Sequence, residues 1–414
     1  MALVSVSDQG KITLADRTVG DLARQAGEAA RVQASQVRLS DFLMFAALIY
    51  AQPVPGIGLP FNQLMVFVIL AFAMRRKPNF ALGNWSRIFL LLACLLAYVS
   101  LVSALADPSQ YASDWTRRLL RLLATTGLIY VIAVGRVHLR SAILGYASAL
   151  IVNALLFYVG FAPDNYGGYL TGYLLDKNYA GLVHALFALL VITTLSKRWQ
   201  QIFALLFSAF LLWETGSRTS LAALLFAYLW ILVAPRLVPL AKVALLALFW
   251  WLLGFMTEDF ADAAVFGDRT GTDALRARID EMSWAKVQQT GFFGQGLGEA
   301  YVFETAQERT WFFHNSYWSA FVEGGWPWAI SLVAITLFVM VMPLTKNPGW
   351  TSSQIIGQGI GVAILICSLR LGEVFYTLPW AICLGYVIRT LIIDSRENKD
   401  IDRFGYDALL KEKV

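Results

Sequence analysis

One histidine and three arginines are the side chains of this sequence whose types and placement could do chemistry. His314 is one of only three histidines, and it stands where a polar stretch, 257–313, meets a strongly apolar one. Arg218 lies in a short turn between two apolar runs, and Arg276 and Arg278 lie inside the polar stretch. Histidine is suited to general-base work near neutral pH, and guanidinium groups match phosphate oxygens with a rigid fork. The four residues therefore predict a pyrophosphate clamp beside a proton acceptor.

Each of these residues also has an ordinary structural interpretation. Arg218 could anchor the chain at a membrane interface, with its aliphatic stem in the lipid. Arg276 or Arg278 could lie on a solvated helix face, and His314 could be a hydrogen-bonded ring at the interface. The catalytic hypothesis depends on all four residues lying on the same side of the membrane.

The composition indicates that the elements positioning these residues are membrane helices. Of 414 residues, 58% are hydrophobic and 15% are charged, whereas about a quarter are charged in an average soluble protein. The mean hydropathy of +0.59 agrees. The apolar runs are continuous rather than alternating, which predicts helices, each needing about 20 residues to cross the membrane.

Twelve apolar runs predict an all-α polytopic fold with about twelve transmembrane helices and one large periplasmic helical region. The runs cover roughly 41–57, 61–74, 87–106, 115–135, 141–162, 179–196, 200–213, 219–234, 238–256, 316–343, 354–370 and 374–393. The predicted organisation is an N-terminal tail at 1–39, nine transmembrane helices within 40–256, a periplasmic region at 257–313, three helices within 314–393, and a C-terminal tail at 394–414.

The distribution of basic residues predicts the orientation. If the N-terminus is cytoplasmic, two thirds of the Lys and Arg residues lie on the cytoplasmic side, as the positive-inside rule expects. Both termini are then cytoplasmic and 257–313 lies outside, which in a bacterium is the periplasmic face. Residues 18–38 are expected to form either a short amphipathic helix on the membrane surface or a loosely ordered tail.

The polar stretch has internal organisation of its own. Its acidic residues outnumber its basic residues two to one, so its arginines are not a general basic coat. The pattern over 272–289 predicts a helix that stops at Gly291. A glycine-rich turn, Gly294–Gly298, follows without a preceding strand, so it predicts close backbone packing rather than a dinucleotide site.

No residue pattern indicates a cofactor, a metal or nucleic acid. Cys94, Cys367 and Cys383 lie in apolar runs without metal spacing, which predicts neither a disulfide nor zinc. The net charge of +5 is dispersed between the apolar runs, as topology alone would place it. The middles of those runs carry almost no charge, which disfavours a transporter.

Four short motifs, in this order, resemble the bacterial O-antigen ligase and polymerase superfamily (Wzy-type), and together they cover roughly residues 170–330. They are Asp176-Lys177-Asn178-Tyr179-Ala180-Gly181, Gly216-Ser217-Arg218-Thr219, an arginine upstream of Gly294–Gly298, and Phe313-His314-Asn315-Ser316-Tyr317 with Glu323-Gly324-Gly325. Two departures are Gly291 where the family commonly has proline and Trp284 unusually close to the glycines. Counting back from Gly294 selects Arg276 as the functional arginine, whereas the distance to the aromatic residue favours Arg278.

The resemblance implies an O-antigen ligase with a GT-C-like fold in the bacterial inner membrane. Such an enzyme transfers a glycan from undecaprenyl pyrophosphate to a sugar hydroxyl of the lipid A-core oligosaccharide, which completes lipopolysaccharide. The partners are then the donor, the acceptor and membrane lipids, without nucleic acid or cofactor. A single displacement predicts inversion, and arginines in place of a metal predict metal independence.

The catalytic candidates are therefore His314, Arg218, Arg276 and Arg278, with His314 acting as a base or as a positioning group. The substrate-binding candidates are Lys177, Asn178, Asn315, Tyr317, Arg117, Arg118 and Arg121. The last three could guide the lipid pyrophosphate or form an ordinary interfacial cluster. A polymerase of the same superfamily, with a lipid-linked acceptor, and a glycolipid transporter or flippase are the alternatives.

Overall fold

The computed structural model describes residues 37–56, 58–259, 270–304, 308–345 and 350–394. The two predicted tails, including the hypothesis of a surface helix at 18–38, lie almost wholly outside these residues. The described chain is mostly helical, with thirteen α-helices and one β-hairpin. The all-α prediction therefore holds for the architecture.

Most helices begin and end within a few residues of the predicted apolar runs, but α1 ends at Ala47, ten residues before the predicted end at 57. The helices are α1 Leu39–Ala47, α2 Phe61–Met74, α3 Ser86–Leu105, α4 Trp115–Ala133, α5 Leu139–Tyr158, α6 Lys177–Ile192, α7 Arg198–Glu214, α8 Arg218–Val233, α9 Pro239–Asp259, α10 Thr270–Gln289, α11 Ser316–Ile335, α12 Ser352–Cys367 and α13 Leu378–Asp394. Within the bundle α12 packs on α8, α13 on α4, and α6 on α7.

Four helical segments of the described chain are long and apolar enough to cross a membrane. They are Gly83–Leu105, Leu139–Tyr158, Arg218–Arg236 and Ser316–Val341. Such helices characterise a membrane protein, but the prediction of twelve spans is not confirmed. Three further apolar helices, α2, α6 and α12, have 16 residues or fewer, and at 1.5 Å per residue they reach roughly 20–25 Å, short of a hydrocarbon core of about 30 Å. α4 has the length, but three arginines interrupt its apolar sequence.

The polar stretch folds as a helix, a glycine-rich turn and a hairpin. α10 is the predicted helix, and it begins two residues before the predicted start. β1, Tyr301–Glu304, pairs antiparallel with β2, Arg309–Phe312. The sequence analysis expected helix alone. It missed the hairpin because each strand has only four residues, too few for an alternating pattern to stand out.

α11 contains a break that organises the site. Gly324 and Gly325 have non-helical dihedral angles, with φ 63° and ψ −163° at Gly325, and Pro327 follows two residues after Gly325. Only glycine adopts such a backbone conformation without strain. After Ile335 the chain continues as a π-helix, Thr336–Val341.

Candidate active site

The glycine-rich turn docks into the break of α11. A Cβ added to Gly294 would lie 2.5 Å from the backbone nitrogen of Gly325 and 2.8 Å from Cα of Gly324. The backbone N–H of Gly296 donates to the carbonyl of Glu323 at 3.0 Å. The predicted role of the glycines in close backbone packing is confirmed. Two sequence motifs that lie far apart in the chain thus form one structural unit.

The packing of α10 separates its two candidate arginines. Ile279 is buried in a small apolar cluster with Phe313, beneath the hairpin. Residues four apart share a face of a helix, so Arg276 lies on the same flank as Asp280. Arg278 points away from that flank and pairs with Glu304 of β1, with Nη2 and Oε1 3.5 Å apart.

His314 faces a carboxylate that sequence reasoning did not select. Its Nδ1 lies 3.5 Å from Oδ1 of Asp280, an ion-pair distance without hydrogen-bond geometry. Oδ2 of Asp280 lies 3.7 Å from Nη1 of Arg370. Asp280 could have been found from its helical spacing to Arg276. No local pattern indicates Arg370, because the loop between α12 and α13 brings it in from far along the chain.

A cavity of about 300 Å³ opens in front of His314. Its lining combines four polar side chains, His314, Asn315, Asp280 and Arg370, with apolar ones. The apolar residues are Trp250, Leu253, Trp318 and Leu369. A site of this composition suits a ligand that has both an anionic or polar part and an apolar part.

Arg218 lies at the same end of the helix bundle as His314. It opens α8, immediately after Ser217, and a Cβ on Gly181 of α6 would come within 2.4 Å of Ser217 Cβ. The thiol of Cys367, which ends α12, lies 3.9 Å from Oγ of Ser220. The loop that carries Arg370 starts directly after Cys367. Arg218 is not among the described residues that line the cavity, so its predicted role stays a prediction.

Tyr166 lies beside Lys177 and is within electrostatic reach of Arg276. The Lys177 ammonium lies 5.4 Å from the centre of the Tyr166 ring, and the Tyr166 hydroxyl donates to Asp176 at 2.6 Å. Burial raises the pKa of Tyr166, the carboxylate of Asp176 raises it further, and the positive charge of Arg276 opposes the rise. Lys177 and its partly buried neighbour Asn178 begin α6, and both remain candidates for substrate contacts.

Asn315 and Tyr317, which are predicted to bind substrate, also form hydrogen bonds within the protein. Oδ1 of Asn315 accepts hydrogen bonds from the backbone N–H groups of Tyr317 at 2.9 Å and Trp318 at 3.2 Å, which caps α11. The Tyr317 hydroxyl donates to the carbonyl of Leu365 at 2.8 Å. Asn315 also lines the His314 cavity, so a ligand contact is open to it.

Arg118 is held by two carboxylates. Nη2 lies 2.8 Å from Glu323, and Nη1 lies 2.6 Å from Glu373. The guanidinium lowers the pKa of Glu373 against the desolvation that would raise it. Arg117 pairs with Asp114 on the exposed surface, at 3.3 Å. These ion pairs already account for two of the three arginines that are candidates either for guiding a lipid pyrophosphate or for an ordinary interfacial cluster.

The α12–α13 loop joins the two charged centres. Ser319 of α11 donates its hydroxyl to the carbonyl of Gly372 at 2.8 Å. A Cβ on Gly372 would lie 1.8 Å from the carbonyl oxygen of Phe313, so only glycine allows this approach. The loop packs against the start of α11. Its Arg370 pairs with Asp280, and its Glu373 pairs with Arg118.

Comparison with known proteins adds no assignment. No protein-family model matches the chain, and no curated protein matches it. The resemblance to the O-antigen ligase superfamily therefore rests on its short motifs.

Proposed function

We propose that this protein is a glycosyltransferase of the O-antigen ligase type. It transfers a glycan from undecaprenyl pyrophosphate to a sugar hydroxyl of the lipid A-core oligosaccharide at the periplasmic face of the inner membrane. The observation that carries the proposal is the His314 cavity, whose lining combines a histidine, a carboxylate and a guanidinium with apolar side chains. A lipid-linked pyrophosphate likewise combines charged groups with hydrocarbon.

The proposed reaction is a single displacement at the anomeric carbon of the donor glycan. The acceptor hydroxyl oxygen forms the new bond to that carbon while the bond from carbon to the pyrophosphate oxygen breaks. The electron pair of the broken bond stays on the pyrophosphate, and the hydroxyl proton passes to the imidazole of His314. Attack from the opposite face inverts the configuration at the anomeric carbon.

Two kinds of side chain support this step. Asp280 faces Nδ1 of His314, so it can hold that nitrogen protonated and leave Nε2 to accept the proton, as the carboxylate does in a serine protease triad. Arg218 and Arg276 neutralise the charge that develops on the leaving pyrophosphate, with Arg370 as a third guanidinium at the cavity. Arg276 is preferred to Arg278 because it shares the flank of Asp280.

The topology belongs to the same proposal. Twelve spans in a GT-C-like bundle, with both termini in the cytoplasm, require the shorter helices to cross a locally thinned bilayer or to have flanking residues that extend to its surface. In this orientation the polar stretch, His314 and Arg218 share the periplasmic side. The shared position of these residues at one end of the bundle supports it.

The test is a transfer assay with the purified protein, an undecaprenyl-pyrophosphate glycan and rough lipopolysaccharide, with EDTA present throughout. The wild type should build a ladder on the lipopolysaccharide. His314→Ala and Arg218→Ala should each transfer glycan about 10²–10⁴-fold more slowly than the wild type. His138→Gln, at the start of α5, should transfer it at the wild-type rate. Folding of every variant is checked by its melting temperature.

Two other results would overturn parts of the proposal. Lengthening of the donor glycan without any lipopolysaccharide product would identify a polymerase. Movement of the glycolipid across a vesicle bilayer, with no transfer under any condition, would identify a transporter and reject the enzyme.

A further inference from the structure

A second polar cavity lies on the other side of the α12–α13 loop from His314. Its volume is about 250 Å³, and α2, α4, the start of α6 and the loop form its walls. Its charged and amide-bearing lining residues are Asn62 and Gln63 of α2, Arg118 and Arg121 of α4, and Glu373 of the loop. None of these residues lines the His314 cavity, so the two cavities are separate.

The lining contains buried polar atoms without partners. Oδ1 of Asn62, Oε1 of Gln63 and Nε of Arg118 are buried and form no hydrogen bond with any described residue. Asn62 is 7% exposed, so bulk water reaches little of it. Buried polar atoms in folded proteins are nearly always paired. Three unpaired atoms around one cavity indicate a polar ligand.

The charges of the cavity indicate what kind of ligand. Arg118 pairs with both Glu323 and Glu373, so the two carboxylates balance the charges of Arg118 and Arg121. Arg121 lines the cavity and forms no ion pair with a described residue, so its guanidinium donors are left for an anionic group of a ligand. The two amides and the carboxylate of Glu373 supply hydrogen-bonding groups that match hydroxyls.

We propose that this cavity binds a phosphorylated sugar of the acceptor glycan. Arg121 binds the phosphate, and Asn62, Gln63 and Glu373 bind hydroxyl groups of the same sugar. This inference rests on the proposed function, because the acceptor hydroxyl must also reach His314. Arg370 and Glu373 are three residues apart, so their Cα atoms lie within roughly 11 Å of each other. A short oligosaccharide held in this cavity can therefore pass over the loop and present its terminal hydroxyl to the imidazole.

A binding experiment tests the inference without requiring catalysis. The probes are soluble core oligosaccharide from rough lipopolysaccharide and the same material after phosphatase treatment, titrated into the full-length protein by calorimetry. The wild type should bind the phosphorylated form at least tenfold more tightly. Arg121→Gln should remove that preference, so that both forms bind equally. Asn62→Ala should weaken both forms and keep the preference.

The matched control is Arg75→Gln, an exposed arginine at the far end of α2, which should leave the preference intact.

An equal affinity of the two forms for the wild type, or an unchanged preference in Arg121→Gln, would overturn the proposal. Displacement of the oligosaccharide by a short-chain polyprenyl pyrophosphate would also overturn it, because the cavity would then belong to the donor. If the wild type builds a ladder in the transfer assay but binds both oligosaccharides equally, only this inference is rejected. If it prefers the phosphorylated oligosaccharide but builds no ladder, only the ligase proposal is rejected.

Discussion

The imidazole of His314 and the carboxylate of Asp280 face each other with Nδ1 and Oδ1 3.5 Å apart. Asp280 belongs to α10, and His314 comes just before α11, with the glycine-rich turn and the hairpin between them in the chain. The buried contact of Ile279 with Phe313 keeps the two elements together. A small movement of either side chain would turn the ion-pair distance into a hydrogen bond, as substrate binding often does.

Replacing Asp280 by Asn is expected to lower kcat of glycan transfer by about 10²-fold while KM for both substrates changes little. The amide keeps the shape of the carboxylate but no longer favours a proton on Nδ1 of His314. Steady-state kinetics measure this split. Glu281→Gln, an exposed neighbour on α10, is the control and should behave as the wild type.

A spectroscopic measurement separates positioning from folding. In a protein whose other two histidines are changed to Gln, nitrogen-15 labelling of the His314 ring reports its tautomer. The Nδ1-protonated form should dominate beside Asp280 and should lose that dominance in Asp280→Asn. An unaltered tautomer together with a wild-type rate would show that Asp280 does not position the ring.

The two arginines of α10 should differ in their effect on transfer. Arg276→Ala should slow transfer by about 10²-fold or more, because it removes positive charge near the leaving pyrophosphate. Arg278→Ala removes only a partly exposed ion pair with Glu304, so we expect a change below threefold. Parallel transfer assays on the two variants decide between them. The opposite order would assign the function to Arg278 and would mean that α10 rotates when substrate binds.

The sequence predicts where most of the helices lie, but it does not predict which side chains contact each other in the site. The bounds of α2 and α3 follow from apolar runs between polar breaks, and the packing role of Gly294–Gly298 follows from the absence of a preceding strand. Arg370 could not be assigned, and the contact of Asp280 with His314 could not be predicted, because a side chain's partner depends on which loop lies over it. Glu323 belongs to a quoted motif, yet its pairing with Arg118 appears only when α11 packs near α4.

The choice between Arg276 and Arg278 shows the same limit. The spacing to Gly294 supports Arg276 and the distance to the aromatic residue supports Arg278, and a spacing along the sequence does not show where a side chain points. The burial of Ile279 fixes the rotation of α10 about its axis, and that rotation separates the two side chains. The number of spans is undecided for a related reason: helix length is visible in the sequence, but the local thickness of the membrane is not.

Gly294→Ala should destabilise the protein by at least about 1 kcal/mol, because Gly294 has φ +86° and a Cβ there would overlap the backbone of the α11 break. Gly291→Ala is the matched control, since a Cβ at Gly291 meets no atom within 4 Å. Thermal unfolding in detergent should show a lower melting temperature for the first variant and no loss for the second. Equal melting temperatures would mean that the turn does not need to approach α11 closely.

The ion pair between Arg118 and Glu373 should make stability depend on pH. Because Arg118 lowers the pKa of Glu373 in the folded protein, the pair stabilises the fold above the ordinary glutamate pKa of about 4.3. That stabilisation is lost as the pH falls through the lower folded value. Glu373→Gln should therefore melt at a lower temperature than the wild type at pH 7, and the difference should shrink below about pH 4.

The effect of Glu373→Gln should be modest, because 47% of the Glu373 side chain is exposed and solvent screens its charge. Glu308→Gln, at an exposed position in the β1–β2 connection, provides a control carboxylate that Arg118 does not pair with in the described structure. Melting temperatures of the three proteins from about pH 2 to about pH 8 measure the difference. A deficit in Glu373→Gln that stays constant over this range would mean that the side chain acts through packing of the α12–α13 loop. The charge of Arg118 would then have no part in holding that loop between the two cavities.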